Sequence, residues 1–247
     1  MILAEPSPSQ GDLHFSLFGF PVRINPWFWL VALFLSGLGA PVSVFLWIAA
    51  MLICILLHEL GHAVVMRAYG YRPSIVLYSF GGLAIPHAGA YGVRRPGPWG
   101  DMLIAFAGPA AGFLLAVILA LPIYFLATRF PHDYRLAFYF HVVPDVSVPN
   151  HLLTDFLDDV FQITVMWGLL NLLPIYPLDG GQIAQQIFVL TNPRDAIRQS
   201  LILSMLVAGL MAVIALVQWH STYLAVFFAW LTYSNFTMLQ SYRGGWR

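Results

Sequence analysis

One apolar run of helical length sets the first constraint on this chain. Pro41–Tyr69 is dominated by Val, Ile, Leu, Met and Ala and is interrupted by one polar cluster, Leu57–His62. Five more apolar segments accompany it: Pro26–Leu38, Met102–Thr128, Phe156–Leu173, Ala196–Trp219 and Thr222–Leu239. A helix needs roughly 20 apolar residues to cross the hydrocarbon of a bilayer. Six spans are therefore expected, the first of them short enough to require tilt, flanking residues or local thinning of the bilayer. Composition agrees, since charged residues make up 9% of the 247 where soluble domains carry about 25%. The fold class expected is an all-α polytopic membrane protein.

Two segments break the helical pattern. Leu13–Ile24 is rich in aromatic and β-branched residues, with a turn expected at Gly19–Pro21. Ser74–Ile85 reads as a strand broken by Gly81–Gly82. Strand edges cannot face lipid, because their backbone groups would go unpaired. A small β-sheet formed by these two pieces is expected at the cytoplasmic rim or in a protein-lined cavity. The loop Tyr91–Gly100 reads as polar and turn-rich.

Arginine placement orients the spans. With the N-terminus in the cytoplasm, nine of the eleven arginines fall on that side, and Arg129 and Arg135 fall outside. That bias follows the positive-inside rule and puts both termini in the cytoplasm. The acidic residues Asp133, Asp145, Asp155, Asp158 and Asp159 gather on the other side. Met1–Asp12 lacks the basic start and apolar core of a signal peptide. The lone Cys54 excludes an internal disulfide, and a formal charge of zero gives no sign of nucleic-acid binding. Arginine without lysine and a compact chain suggest a bacterial inner membrane.

The polar cluster in the second span reads Leu57-His58-Glu59-Leu60-Gly61-His62. His58 and His62 stand at i and i+4 and so share one helix face. Two imidazoles there can ligate one Zn²⁺, and the intervening Glu59 can act on an attacking water. Ionisable groups inside a span cost ~2.5–3.5 kcal/mol each on insertion scales, which favours a functional reading over a satisfied polar cluster.

Catalytic zinc usually takes three protein ligands. His87, in the cytoplasmic loop, is one candidate; Asp179, in Asn171-Leu-Leu-Pro-Ile-Tyr-Pro-Leu-Asp179-Gly-Gly, is the better one. Pro174, Pro177, Gly180 and Gly181 are expected to unwind a helix there, and unwound backbone at membrane depth must line protein or water. Asp179 would lie at the same cytoplasmic end as His58 and His62. Standing alone, it would be an ordinary Asp-Gly turn residue.

The chain resembles the site-2 protease family of intramembrane metalloproteases. The matching motifs are HELGH at His58–His62, FGG at Phe80–Gly82, AGP at Ala107–Pro109 and NLLPIYPLDGG at Asn171–Gly181, so the likeness runs from Leu13 to Gln182. It implies one Zn²⁺ per chain held by His58, His62 and Asp179, with Glu59 as catalytic base. It also implies that Asn171 contacts the substrate backbone. A substrate helix must unwind before it is cut, and the strand carrying Gly81 and Gly82 is expected to pair with the unwound segment by strand addition. The partners implied are a transmembrane protein substrate and the lipid bilayer. Gly112 stands where the family motif often has Asn, which removes a polar contact from the third span. No room is expected for a PDZ-like or CBS-like domain. One domain is expected, with 1–25 an N-terminal segment and hairpin, 26–182 the catalytic core and 183–247 two C-terminal spans.

Other features read structurally. Gly108 and Gly112 suit close helix packing, tryptophans near span ends anchor the interface, and Asp101 caps the third span. Rival classes for the same residues are a membrane zinc-binding or transport protein, an inactive homologue acting as a scaffold, and a zinc hydrolase of lipids or small amides. A transporter has no need of Glu59 between its ligands. An inactive homologue would lack one of the four chemical residues, all of which are present.

Overall fold

The computed structural model describes residues 7–37, 39–88, 95–129 and 151–244. The acidic residues Asp133 and Asp145, Arg135, and Tyr91 and Arg94 of the polar loop lie outside the described residues. Seven helices and four strands make up the described chain: β1 (Leu13–Leu17), β2 (Phe20–Ile24), α1 (Pro26–Leu35), α2 (Pro41–Ala68), β3 (Ser74–Tyr78), β4 (Gly81–Ile85), α3 (Pro98–Arg129), α4 (His151–Asn171), α5 (Asp179–Thr191), α6 (Ala196–Val217) and α7 (Thr222–Gly244).

Three of these helices are long and apolar enough to cross a membrane by length and composition: α2, the Pro98–Ala120 part of α3, and α6. The first apolar segment forms a helix of 10 residues, about 15 Å long and half the thickness of the hydrocarbon. Asn25 caps it by accepting from the Trp27 amide at 3.1 Å, and Pro26 occupies its first turn. The fourth segment, α4, begins earlier than expected and carries Asp155, Asp158 and Asp159 in its first half. Asp101 sits within the first turn of α3 rather than ahead of it; there it meets the positive end of the helix dipole.

The strands form one sheet in the order β1-β2-β3-β4, with β2–β3 parallel and the outer pairs antiparallel. The β1–β2 turn falls at Phe18–Gly19, one residue before the expected position, with φ of +49° and +75°. Positive φ at both turn residues matches the twist of a two-residue hairpin, and Pro21 then lies inside β2 opposite Ser16. Gly81 and Gly82 do not break a strand; they open β4 after the two-residue turn Ser79–Phe80. Phe20, Val22 and Ile24 alternate into the core, joined by Ile75 and Leu77 from β3.

Packing divides the described residues into two compact units, one within 7–88 and 107–169, the other within 95–106 and 170–244. In the first, the sheet packs on α2. Arg67, in the last turn of α2, donates to the carbonyls of Phe18 at 3.2 Å and Gly19 at 2.9 Å, and its guanidinium lies over the Phe20 ring. Asp12 receives Arg23 at 2.9 Å and the Asn25 amide at 3.1 Å. Hydrogen bonds from Ser9 and from Arg23 hold the Asp12 carboxyl down at about 2. In the second unit, α5, α6 and α7 pack around Ile175, Ala208, Phe228 and Leu231.

Candidate metal and catalytic site

The buried stripe of α2 runs Met51, Cys54, Ile55, His58, Glu59, His62 and Ala63. Its three- and four-residue steps carry the apolar face directly into the chemical residues. Cys54, one turn before His58, ties α2 to α4: Thr164 Oγ1 donates to its sulfur at 2.9 Å, and the thiol reaches the Val160 carbonyl at 3.4 Å. His58 and His62 present Nε2 to Nε2 at 3.2 Å, with ring planes 80° apart. Two nitrogens held at roughly 2.0–2.1 Å from one tetrahedral ion stand about 3.3 Å apart. The imidazole pair fits a zinc ion on that measure.

Three glycines allow close approach at or beside this group. Gly61 lets α2 and α3 touch, since a Cβ there would collide with the Ala107 carbonyl. Gly108 of α3 faces the imidazoles directly, where a Cβ would stand 2.5 Å from His62 Cε1 and 2.7 Å from His58 Nε2. Gly82 of β4 lies on Glu59, where a Cβ would stand 2.7 Å from Cδ of the carboxyl. The packing role read for Gly108 thus becomes a role at the site: it keeps the space in front of two ring nitrogens clear of side chains. Gly108→Ala is expected to displace both imidazoles and cut zinc content well below that of the wild type. Metal analysis of purified protein checks this, and wild-type zinc in Gly108→Ala would contradict it.

Trp167 of α4 completes this side of the site and was not singled out from the sequence. Its ring meets His58 edge-on, with centroids 6.5 Å apart. It fills the place a Cβ of Gly81 would occupy, at a backbone φ of +112° that L side chains rarely adopt. Its only sequence signal was its place four residues before Asn171. Tyr78 lies near the base as well: burial and then the Glu59 charge push its phenol up to about 12, so it stays protonated at neutral pH.

Asn171 and Asp179 lie in the second unit. Asn171 is the last residue of α4 and half-buried. Asp179 is buried and opens α5, so its carboxylate sits in a helix first turn, a position that favours negative charge. Gly180 and Gly181 do not unwind a helix, as expected from the sequence; they form the first turn of α5. The unwound stretch ends at Leu178. The glycines are needed for close approach instead: a Cβ on Gly180 would strike the Leu172 carbonyl, and one on Gly181 the Ile175 carbonyl and Tyr176 amide. His87 is exposed and engaged with Ser74 Oγ at 2.7 Å. It belongs to no group of His, Cys, Asp and Glu side chains that could hold a metal among the described residues.

A family model described as peptidase family M50 matches residues 46–214. A Synechocystis protein provisionally named a zinc metalloprotease is 30% identical over 187 residues, which cover 70% of this chain and 42% of the relative. A zinc metalloprotease of Methanocaldococcus jannaschii is 26% identical over 209 residues, or 80% of this chain and 53% of the relative. This chain therefore spans about half or less of the length of those curated relatives. Among solved structures, a site-2 protease from Methanocaldococcus jannaschii superposes with a TM-score of 0.59 at 20% identity, over 92% of this chain and 95% of that one. That likeness is one of fold.

Proposed function

The chain belongs to peptidase family M50, the site-2 protease family, and on that premise we propose that it is an integral-membrane zinc metalloprotease that cuts transmembrane proteins within or next to the bilayer. The observation that carries the reading is the pair of imidazole nitrogens 3.2 Å apart, with the buried Glu59 carboxyl between them in sequence. His58, His62 and Asp179, each of them buried, are the three ligands that the family motifs imply, and the metal implied is zinc. One ion per chain is the expected stoichiometry.

Bound there, zinc supplies Lewis acidity, lowering the pKa of water towards about 7 and polarising a carbonyl. The chain's own residues do the rest. The Glu59 carboxylate takes the proton of the attacking water as its oxygen bonds to the scissile carbonyl carbon. As the C–N bond breaks, Glu59 hands that proton to the leaving amine. The Asn171 side-chain amide binds the substrate backbone or the developing oxyanion. A substrate helix must first unwind to expose a peptide bond, and β4, the last strand of the sheet, offers its edge for strand addition. The absence of side chains at Gly81 and Gly82 brings that strand against Trp167 and Glu59. The six apolar segments support six spans, the arginine bias supports both termini and the sheet on the cytoplasmic side, and arginine without lysine in a compact chain supports a bacterial inner membrane.

The test uses purified protein in mild detergent with a transmembrane model substrate. Chelation is expected to stop cleavage, and Zn²⁺ to restore it. Cleavage that survives complete metal removal would overturn the reading.

A further inference from the structure

The second unit contains a polar device on two helices that no motif includes. Ser204 on α6 and Asn235 on α7 are both fully buried, in segments otherwise dominated by apolar side chains, where a polar group needs a partner. Both meet the same residue of the unwound stretch before α5. The Tyr176 amide donates to Ser204 Oγ at 2.8 Å, and Asn235 Nδ2 donates to the Tyr176 carbonyl at 2.7 Å.

The chemistry of each side chain suits this double hold. Ser204 gives its own proton to the Ser200 carbonyl one turn back, at 2.8 Å, which turns a lone pair of Oγ towards the Tyr176 amide. The Asn235 NH₂ bridges two acceptors, the carbonyls of Tyr176 and of Leu231 at 2.8 Å. Two carbonyl neighbours fix which end of the amide faces them, since only the nitrogen donates. The stretch closes some bonds on itself, Ile175 to Leu173 and Leu178 to Ile175. The two backbone groups of Tyr176 are held from outside it.

A displacement of Tyr176 cannot stay local. A Cβ on Gly181 would collide with the Tyr176 amide and the Ile175 carbonyl, so the stretch rests directly on the first turn of α5. Asp179 opens that turn. We propose that Ser204 and Asn235 are positioning residues for the Asp179 carboxylate, acting through the Tyr176 peptide; the inference rests on the reading of Asp179 as a zinc ligand. It gives the C-terminal helices α6 and α7 a part in metal binding, although neither supplies a ligand. Partners of this indirect kind typically alter metal affinity by 10–100-fold when removed.

The experiment compares wild type, Asp179→Ala, Ser204→Ala, Asn235→Leu and Thr232→Val as purified full chains. Thr232 is the control, because among the described residues its hydroxyl bonds only the Phe228 carbonyl of its own helix, at 2.9 Å. Zinc affinity is measured by chelator competition and ligand geometry by the visible spectrum of the Co²⁺-loaded protein. Ser204→Ala and Asn235→Leu are each expected to weaken zinc by about 10–100-fold and to change the Co²⁺ spectrum, while Thr232→Val matches wild type. Wild-type affinity and spectrum in Ser204→Ala and Asn235→Leu, alongside metal loss in Asp179→Ala, would overturn the positioning role alone. Wild-type behaviour of Asp179→Ala would overturn the ligand reading beneath it. Should Asn235→Leu fail to fold, the smaller Ser204→Ala change decides the matter.

Discussion

Glu59→Gln is expected to leave zinc bound and to remove proteolysis. Glutamine keeps the length of the side chain and its place against Gly82, where Glu59 now packs, so the imidazole pair is undisturbed. What it loses is the ability to hold a proton between two bond changes. General acid–base groups contribute typically ~10²–10⁴-fold to rate; in the proposed mechanism one carboxylate would serve both the attack and the departure, so the loss should lie at or above the upper end. Cleavage of a transmembrane substrate is measured beside zinc content. Activity within a few-fold of wild type in Glu59→Gln, with zinc retained, would remove Glu59 from the chemistry.

Asp179→Ala is expected to reduce zinc from about one per chain to little or none, and cleavage with it. Zinc in catalytic sites takes three protein ligands, and two imidazoles alone make a weak site. The effect should exceed the 10–100-fold typical of an indirect partner. Methyl replaces carboxylate at a position already in helix, so α5 should keep its start. Retained zinc in Asp179→Ala would mean that the third ligand is another residue; His87, engaged with Ser74, would then need to leave that partner to reach the metal. The two variants separate the roles: one should lose chemistry with the metal in place, the other the metal itself.

Helical periodicity made the centre of the site legible. His62 follows His58 by four positions, one helical turn sets them on one face, and the structure keeps them there at 3.2 Å. The sheet was legible for a similar local reason, through β-branched and aromatic runs with glycine at their ends. Its turns fall slightly earlier than expected, at Phe18–Gly19 rather than Gly19–Pro21 and at Ser79–Phe80 rather than Gly81–Gly82. The helix α5 was missed because Asp-Gly-Gly reads as a turn by propensity. Tertiary contact overrides propensity here: those glycines let a helix start directly on the carbonyls of Leu172 and Ile175.

Apolar run length pointed to a membrane protein, and residue types at fixed short spacing were enough to point to the family and to name His58, Glu59, His62 and Asp179 as candidates, since each signal depends on neighbours along one helix or one motif. The tertiary structure alone decided which small residues and which distant polar groups serve them. Gly108, fifty positions after His58, and Asn235, fifty-nine after Tyr176, act by approach across the fold. A glycine or an asparagine looks the same in sequence whether it fills space or guards a site. The difference is made by what packing brings within a few ångströms of it.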